Sequence, residues 1–577
     1  MFGCYMKSIL LLLHIGWFSL LEAVPDAGSL LTEENNILER QSLPKVIPKP
    51  IISSTEVAIE DEDDGEKVFV KNFVFEGEKA ALTVDELNEI IEPDLNQELS
   101  FGEIQNLINR IRNAYLDKGY FLTSVSIPEQ EVVDGSLVVN INEGSLDPES
   151  PYKIKGINLR LKENVPIKYM SKAMRGRVTL SGLERGILNI NDIPGISGTV
   201  NLSPGTVPGT TQIELDVSET PLVQGMISAD NFGSRYTGEN RATAVINLNN
   251  PSKLGDQVTL TKVLSFDGNF DLNLIGYNFP LGRSGLRSNI YYSKLDYELG
   301  EELKTDPASK GTADVYSGGV SYPILNSSRR SVFLNGTYNF KDLYNENMGV
   351  VVSDKTAETQ DVRLIFQNAD NIINSGFTQL SLTQTFGDID LTKVSTNFAA
   401  DQGAGGAKTN GNFQKFNAQV FRIQEITDKL NLQILASAQT VDKNVDSAED
   451  FSLGGPTAIR AYPSGEAAGD EGFRVSVDAQ YNLISGSKFG DIILSSFYDY
   501  GEIKQYKDTY DIVMTSPNEY SLEGWGVALD FLTMNRFNLK VIWADAIGDN
   551  PGKTISGMNS DGKNNSSRIW AMARFSF

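Results

Sequence analysis

The 577-residue sequence contains one cysteine, Cys4, and one histidine, His14. Both lie in an N-terminal stretch made of Lys7, the 13-residue apolar run ILLLLHIGWFSLL and the triplet Leu21-Glu22-Ala23. This is the pattern of a secretory signal cut after Ala23, and the run is short of the ~20 residues that a membrane anchor needs. With residues 1–23 removed, the chain has no thiol and no imidazole. That excludes disulfides, cysteine-based metal sites, Ser-His and Cys-His dyads and imidazole acid-base catalysis. Carboxylates, Lys, Tyr and Ser remain, without visible clustering, so the chain reads as no enzyme, with no metal and no cofactor.

Positive charge is also scarce. The 50 Lys+Arg against 75 Asp+Glu leave a net charge of -25, and nucleic acid is excluded as a partner because phosphates require a basic face. Beyond the N-terminus no apolar run approaches the ~20 residues of a spanning helix. If this chain crosses a membrane, it does so with strands.

What is present begins with residues 24–41, where Leu30, Leu31, Glu34, Ile37 and Leu38 share one side of a short amphipathic helix. Residues 42–66 hold Pro44, Pro48 and Pro50, then an acidic run from Glu60 to Asp64, and read as an extended, solvated linker. Over residues 67–145 the pattern is strand, helix, helix, strand, strand. Thr83-x-x-Glu86 and Ser100-x-x-Glu103 are capping boxes that open the two helices. Ile104, Leu107, Ile108, Ile111 and Tyr115 form the buried stripe of the second helix, and Gly119 stops it. The last two strands are joined through Asp134-Gly135. Residues 146–220 repeat this order, with a strand KIKGINLRL, a short helix after Pro166, a helix opened by Ser181-x-x-Glu184, and strands GTVNLSP and TQIELDVSE.

From 221 to 577 no helix is evident. Segments of roughly ten residues alternate apolar with small or polar positions, as membrane β-strands do. Trp525, Val527, Leu529 and Phe531 alternate with Gly526, Ala528 and Asp530, and Ile569, Ala571, Ala573, Phe575 and Phe577 with Trp570, Met572, Arg574 and Ser576. Connections alternate as well, short (NNPSKLGD, PLGRSG, NSSRRS, SGSKFGD) with long, which predicts tight turns on one rim and long loops on the other. The count of strands is about sixteen, even as bacterial single-chain barrels require. The expected fold is therefore α+β modules followed by an all-β transmembrane barrel of antiparallel strands.

These residues resemble the outer-membrane transporters of bacterial two-partner secretion, the haemolysin and filamentous-haemagglutinin secretion family. The resemblance runs through NAYLDKGYFLTSVSIPEQEVVDGSLVVNINEG, LERGILNINDIPGI, DNFGSRYTGENRATAVINLNNPSKLGDQ and YNFPLGRSGLRSNIYYSKLDYELG. It implies that 67–145 and 146–220 are periplasmic POTRA domains and 221–577 an outer-membrane barrel. It further implies export of a large, β-helical partner protein, and that the helix at 24–41 occupies the lumen at rest. In this family an arginine at the tip of the sixth loop pairs with an aspartate of a Phe-x-Asp-x-Gly strand. The matching residues are Ile459, Arg460, Ala461 and Tyr462 in LGGPTAIRAYP, and Phe497, Asp499 and Gly501 in FYDYG. Ala461 stands where glycine is common, and a positive φ there would strain it. The terminal Phe577 fits the aromatic that the barrel-assembly machinery reads, and a lipid-facing girdle as well. The rivals are an insertase of the same superfamily and a passive porin. More than two POTRA domains are usual in the former, and a porin needs no docking modules.

Overall fold

The computed structural model describes residues 24–44, 67–77, 81–156, 159–174, 178–533 and 536–577. The signal stretch 1–23 and the linker from 45 to 66 lie outside them. Helix α1 (Ala27–Ser42) comes first.

In the first module VFVKNFVFEG forms two strands instead of one. Strand β1 (Lys67–Val70) and strand β2 (Asn72–Gly77) are separated at Lys71, where the amides of Lys71 and Asn72 both donate to Gly135 O, at 2.8 and 3.2 Å. Helix α2 (Val84–Ile91) is opened by the Thr83/Glu86 box and helix α3 (Phe101–Asp117) by the Ser100/Glu103 box, with both reciprocal bonds made in each. Between them a short strand that the sequence did not suggest, β3 (Gln97–Ser100), pairs with β1. Helix α3 ends in a Schellman motif: Tyr120 N donates to Tyr115 O and Gly119 N to Leu116 O, both at 2.8 Å, with Gly119 at φ 85°. Strands β4 (Ser124–Ser126) and β5 (Ser136–Asn142) complete the module, β5 parallel to β2 and antiparallel to β4. Asp134 and Gly135, at φ 53° and 75°, make a left-handed two-residue turn before β5. The stripe Ile104, Leu107, Ile108, Ile111 and Tyr115 is buried against Val70, Phe73, Val139 and Ile141.

The second module contains β6 (Ser145–Leu146), β7 (Tyr152–Lys155), α4 (Asn164–Met174), α5 (Leu180–Asn191), β8 (Ile196–Pro204) and β9 (Thr210–Glu219). Helix α4 starts two residues before Pro166, which is tolerated because amides of a first turn have no intrahelical acceptor. The expected Ser181/Glu184 box is absent. Thr179 caps α5 instead, accepting from Gly182 N, and Glu184 turns outward to accept from Ser328 N at 2.7 Å.

Asp147 organises the loops of this module. Its carboxylate accepts from Glu149 N (2.8 Å), Ser150 N (2.9 Å) and the amide and hydroxyl of Thr206, and these bonds, Thr206 first, hold its pKa well below the usual carboxylate value. A carboxylate whose folded pKa is depressed stabilises fully above its unfolded pKa of about 3.9 and loses that contribution as pH falls through the folded value. Asp147→Asn is therefore expected to lower the melting temperature at pH 7, and the gap to the parent should shrink as pH falls below about 4. A gap that stays constant down to pH 2 would sink this reading.

The barrel closes from sixteen antiparallel strands, numbered here along the chain, each paired with its sequence neighbours and the first (Val223–Asp230) with the last (Ser567–Ser576). Apolar residues predominate outside, and the interior is small or polar except where wall residues such as Trp570 and Leu295 pack on the elements in the lumen. Ile569 is 62% exposed and the adjoining Trp570 5%. Trp525, Val527 and Leu529 are exposed while Gly524, Gly526 and Ala528 are buried. Inside, Ser317, Asn339 and Thr359 join in a hydrogen-bonded polar ladder. An exterior more apolar than the lining is the arrangement a bilayer imposes.

The four short connections fall on one rim, and there the second module docks: Asn326 donates to Asp192 (2.9 Å) and Asn250 to Glu219 (2.8 Å). The far rim is not uniformly long-looped. Strands three and four join through residues 266–269, and strands seven (Arg330–Asn347) and eight (Val350–Asp370) through Met348-Gly349. Those two strands run 18 and 21 residues, well past the ~9–11 that cross a bilayer, so the hairpin itself projects from the rim.

Candidate functional site

The sixth connection on the far rim, residues 442–470, turns into the lumen and satisfies its own backbone. Phe451–Ser452 pairs with Ala468–Gly469, Leu453 N donates to Ala467 O (3.0 Å), Gly454 N to Glu466 O (2.9 Å), and Ile459 N to Leu453 O (2.8 Å). A loop that pairs its own amides can be buried without desolvation loss. At its tip is Arg460, 4% exposed.

Its guanidinium meets strand thirteen (Gly490–Lys504) as a fork. Nε donates to Asp499 Oδ2 (2.8 Å) and Nη2 to Asp499 Oδ1 (2.6 Å), while the backbone amide of Arg460 adds a third bond to Oδ2 (3.0 Å). Paired donors on paired acceptors fix the angle as well as the distance. Arg460 Cζ also lies 3.4 Å from the ring centroid of Phe497, a cation-π contact. Trp570 Nε1 donates to Arg460 O at 2.7 Å. Ile459, Ala461 and Tyr462 are buried in one cluster with Leu453, Phe497 and Trp570.

Gly501 leaves the room this needs, since a Cβ there would stand 2.7 Å from Leu453 Cδ2 and 3.0 Å from Ile459 Cδ1. Ala461 is not strained: it is outside the left-handed region, which in this loop is occupied by Gly455, Gly465 and Ala467. Its methyl group fills the space over Gly524, where an added Cβ would lie 2.7 Å away. Phe577 is elsewhere, at the seam. It exchanges backbone bonds with Gly225 (2.9 and 3.0 Å).

Two further groups complete the site: Asp478, which the sequence did not single out, and the helix expected over residues 24–41. Asp478 on strand twelve (Glu471–Ser487) accepts from Arg460 Nη1 at 2.7 Å, so the guanidinium is shared by two carboxylates. The second is α1, which lies inside the barrel. Asp26 caps it, Ala27 N donates to Asn345 Oδ1 (3.0 Å), and Leu30 and Leu31 pack on Leu272, Leu295 and Val315 of the wall. Glu34, on the buried face, pairs with Arg241 at 2.5 Å, which is also bound to Asp230 at 3.0 Å. Lower down, Asn36 reaches Ser452 of the loop (3.3 Å), Arg40 lies 3.7 Å from Asp478, and Gln41 accepts from Arg574 (2.8 Å).

A closed barrel with a lipid-facing exterior, α+β modules on one rim and a helix and loop in its lumen defines an outer-membrane transporter with a periplasmic arm. More particularly, the chain belongs to the haemolysin secretion/activation protein family ShlB/FhaC/HecB, whose model matches residues 209–529, and a POTRA domain of the ShlB type matches residues 68–144. It is 24% identical over 475 residues to the Heme/hemopexin transporter protein HuxB of Haemophilus influenzae (strain 86-028NP), covering 81% of this chain and 82% of that one. It is 23% identical over 503 residues to the outer membrane transporter CdiB of Escherichia coli O6:K15:H31 (strain 536 / UPEC), covering 84% and 81%. The solved CdiB from Escherichia coli superposes with a TM-score of 0.76 at 19% identity, over 96% of this chain and 99% of that one. As a member of that family the chain is a two-partner secretion transporter of the outer membrane, its POTRA domain in the periplasm.

Proposed function

We propose that the chain exports one large partner protein of β-helical fold, passed unfolded through the barrel, and that α1 and the Arg460 loop are the resting closure of that path. The observation that carries this is the double occupancy of the lumen by two elements that contribute no barrel strand. The modules at 67–145 and 146–220 act as two POTRA docking platforms. An unfolded chain adds a strand at such a sheet edge with little demand on its side chains, so contacts are weak and suit transfer. The wall is polar inside, and folding of the partner outside prevents return. The transporter works without catalysis or cofactor. Arg460, held by Asp499 above Phe497 and Gly501, fixes the depth of the loop. Phe577 serves as the signal for the barrel-assembly machinery, and lipid surrounds the strands.

An insertase would need the wall to open beside its client, whereas the seam here is closed, although by the shortest run of pairing in the barrel. Strands one and sixteen pair from Gly225 and Phe577 to Asp230 and Met572. The Asn231 side chain then extends the ladder, accepting from Ala571 N (2.8 Å) and donating to Ile569 O (2.9 Å). The test is the protein content of the culture medium from cells with and without this chain. One large protein should be missing in its absence and restored on expression. An unchanged medium with other outer-membrane barrels depleted would establish the insertase instead.

A further inference from the structure

We infer that the turn Ser447–Glu449 of the loop, pinned to the wall through Glu449, is the seat that holds α1 in the lumen, and that Gly28 is the helix residue shaped to it. The inference rests on the reading of α1 as a resting closure. Its ground is that the wall grips the loop at a second place besides the arginine tip. Glu449 accepts from Lys341 Nζ of strand seven and from Lys415 Nζ of strand ten (Gly411–Thr427), one oxygen to each at 2.6 Å. Its backbone oxygen takes a further bond from Gln439 Nε2 at 2.9 Å. Asp446, which caps the turn, is paired with Lys355 of strand eight at 2.7 Å. A carboxylate 4% exposed and shared by two ammonium groups is a fixed point on the wall.

The N-terminal part of α1 meets the loop at this turn. Ser447 Oγ donates to Asp26 Oδ2 (2.7 Å), and Thr32 Oγ1 donates to Ala448 O (3.2 Å). Between these bonds Gly28 lies against Ala448, where an added Cβ would stand 2.9 Å from both the backbone nitrogen and the Cβ of that residue. Glycine forms helix worse than any residue but proline, so its place in the first turn is explained by the close approach it permits. Ala27 and Ala448 are buried in one cluster with Leu30 and Leu31. Because backbone faces Gly28, a larger side chain fits only if the turn moves, and the two lysines on Glu449 oppose that movement. Glu449 is thus a positioning residue, acting on the helix through Ala448.

The full-length protein in planar bilayers tests this through the fraction of time spent in the high-conductance state. Gly28→Leu should raise that fraction at least about fivefold, as overpacking warrants, although leucine forms helix better than glycine. Glu449→Gln should raise it too, by freeing the turn. Since both act on one contact, the double variant should open less than the product of the single effects. In a protein without residues 24–44, Glu449→Gln should leave conductance as it is. Gly28→Leu at the parent level, effects that multiply in the double variant, or a Glu449→Gln effect that survives the deletion would each overturn the inference; the last would make Glu449 the anchor of a closure formed by the loop alone. Gly28→Leu changes no wall residue and decides the matter even where Glu449→Gln lowers barrel abundance. The deletion by itself separates the two levels. If it does not raise conductance, the closure reading falls; if it does while Gly28→Leu stays closed, only the present inference falls.

Discussion

Arg460→Ala is expected to cut the exported partner in the medium at least about tenfold at matched barrel levels, since removing one member of a buried ion pair costs about 3–5 kcal/mol. The substitution leaves Asp478 and Asp499, 5% and 0% exposed, facing one another with no counter-ion among the described residues nearer than Arg40, 3.7 Å from Asp478, and frees a loop tip whose depth that guanidinium sets. Asp499→Ala should be milder, because Arg460 keeps Asp478 at 2.7 Å. Arg460→Lys should resemble alanine more than the parent, since an ammonium cannot reproduce a fork that engages both oxygens of Asp499 while Nη1 reaches Asp478. Exchanging the two residues as Arg460→Asp with Asp499→Arg should restore export only in part. The new carboxylate would lose the contact with Phe497 and meet Asp478. Quantifying the partner in the medium, with barrel abundance checked by immunoblot, decides the matter; full export from both alanine variants would remove the pairing from the mechanism.

How much of this was legible depended on whether a residue's role lay within its own segment. The barrel was legible because alternation is local, and Trp525, Val527 and Leu529 face lipid as their spacing requires. The Ser100/Glu103 box was legible because both partners lie within one turn. The Ser181/Glu184 pattern misled because Glu184 is engaged by Ser328, 144 residues away, and the true cap, Thr179, has a glycine where the reciprocating glutamate would stand. Arg460 and Asp499 were found through a family resemblance. Asp478 was not, for a physical reason: it follows Arg474 and Ser476 on a lumenal face where a polar residue is unremarkable, and only the inward fold of the loop gives it a partner. Lys71 and β3 were missed because strand breaks and four-residue strands are set by pairing, here by Gly135 and Val70, and leave no period of their own.

Deleting residues 24–44 is expected to turn a mostly closed barrel into an open one. Helix α1 has 16 residues and so spans about 24 Å, close to the ~25 Å apolar band of an outer-membrane barrel. Its removal leaves an aqueous gap about 10 Å across, the width of a helix, bounded by the loop and the wall. It also strips the partner from Arg241, which keeps Asp230 at 3.0 Å, and from Lys355, which keeps Asp446 at 2.7 Å. Arg363 loses Glu39 but is partly exposed and keeps Thr383 Oγ1 at 3.0 Å, and the barrel should fold to normal levels. Conductance in planar bilayers should rise several-fold, and cells should become sensitive to antibiotics too large for ordinary porins. Export should persist, because a segment that must leave before the partner enters is dispensable for the passage itself. The loop is different: held by Arg460 on strands twelve and thirteen, it remains in the deletion variant, and combining the deletion with Arg460→Ala should abolish export while leaving the pore open. If the combined variant exports as well as the deletion alone, the loop arginine serves only to keep α1 seated, and the two elements form one closure instead of a closure and a separate working part.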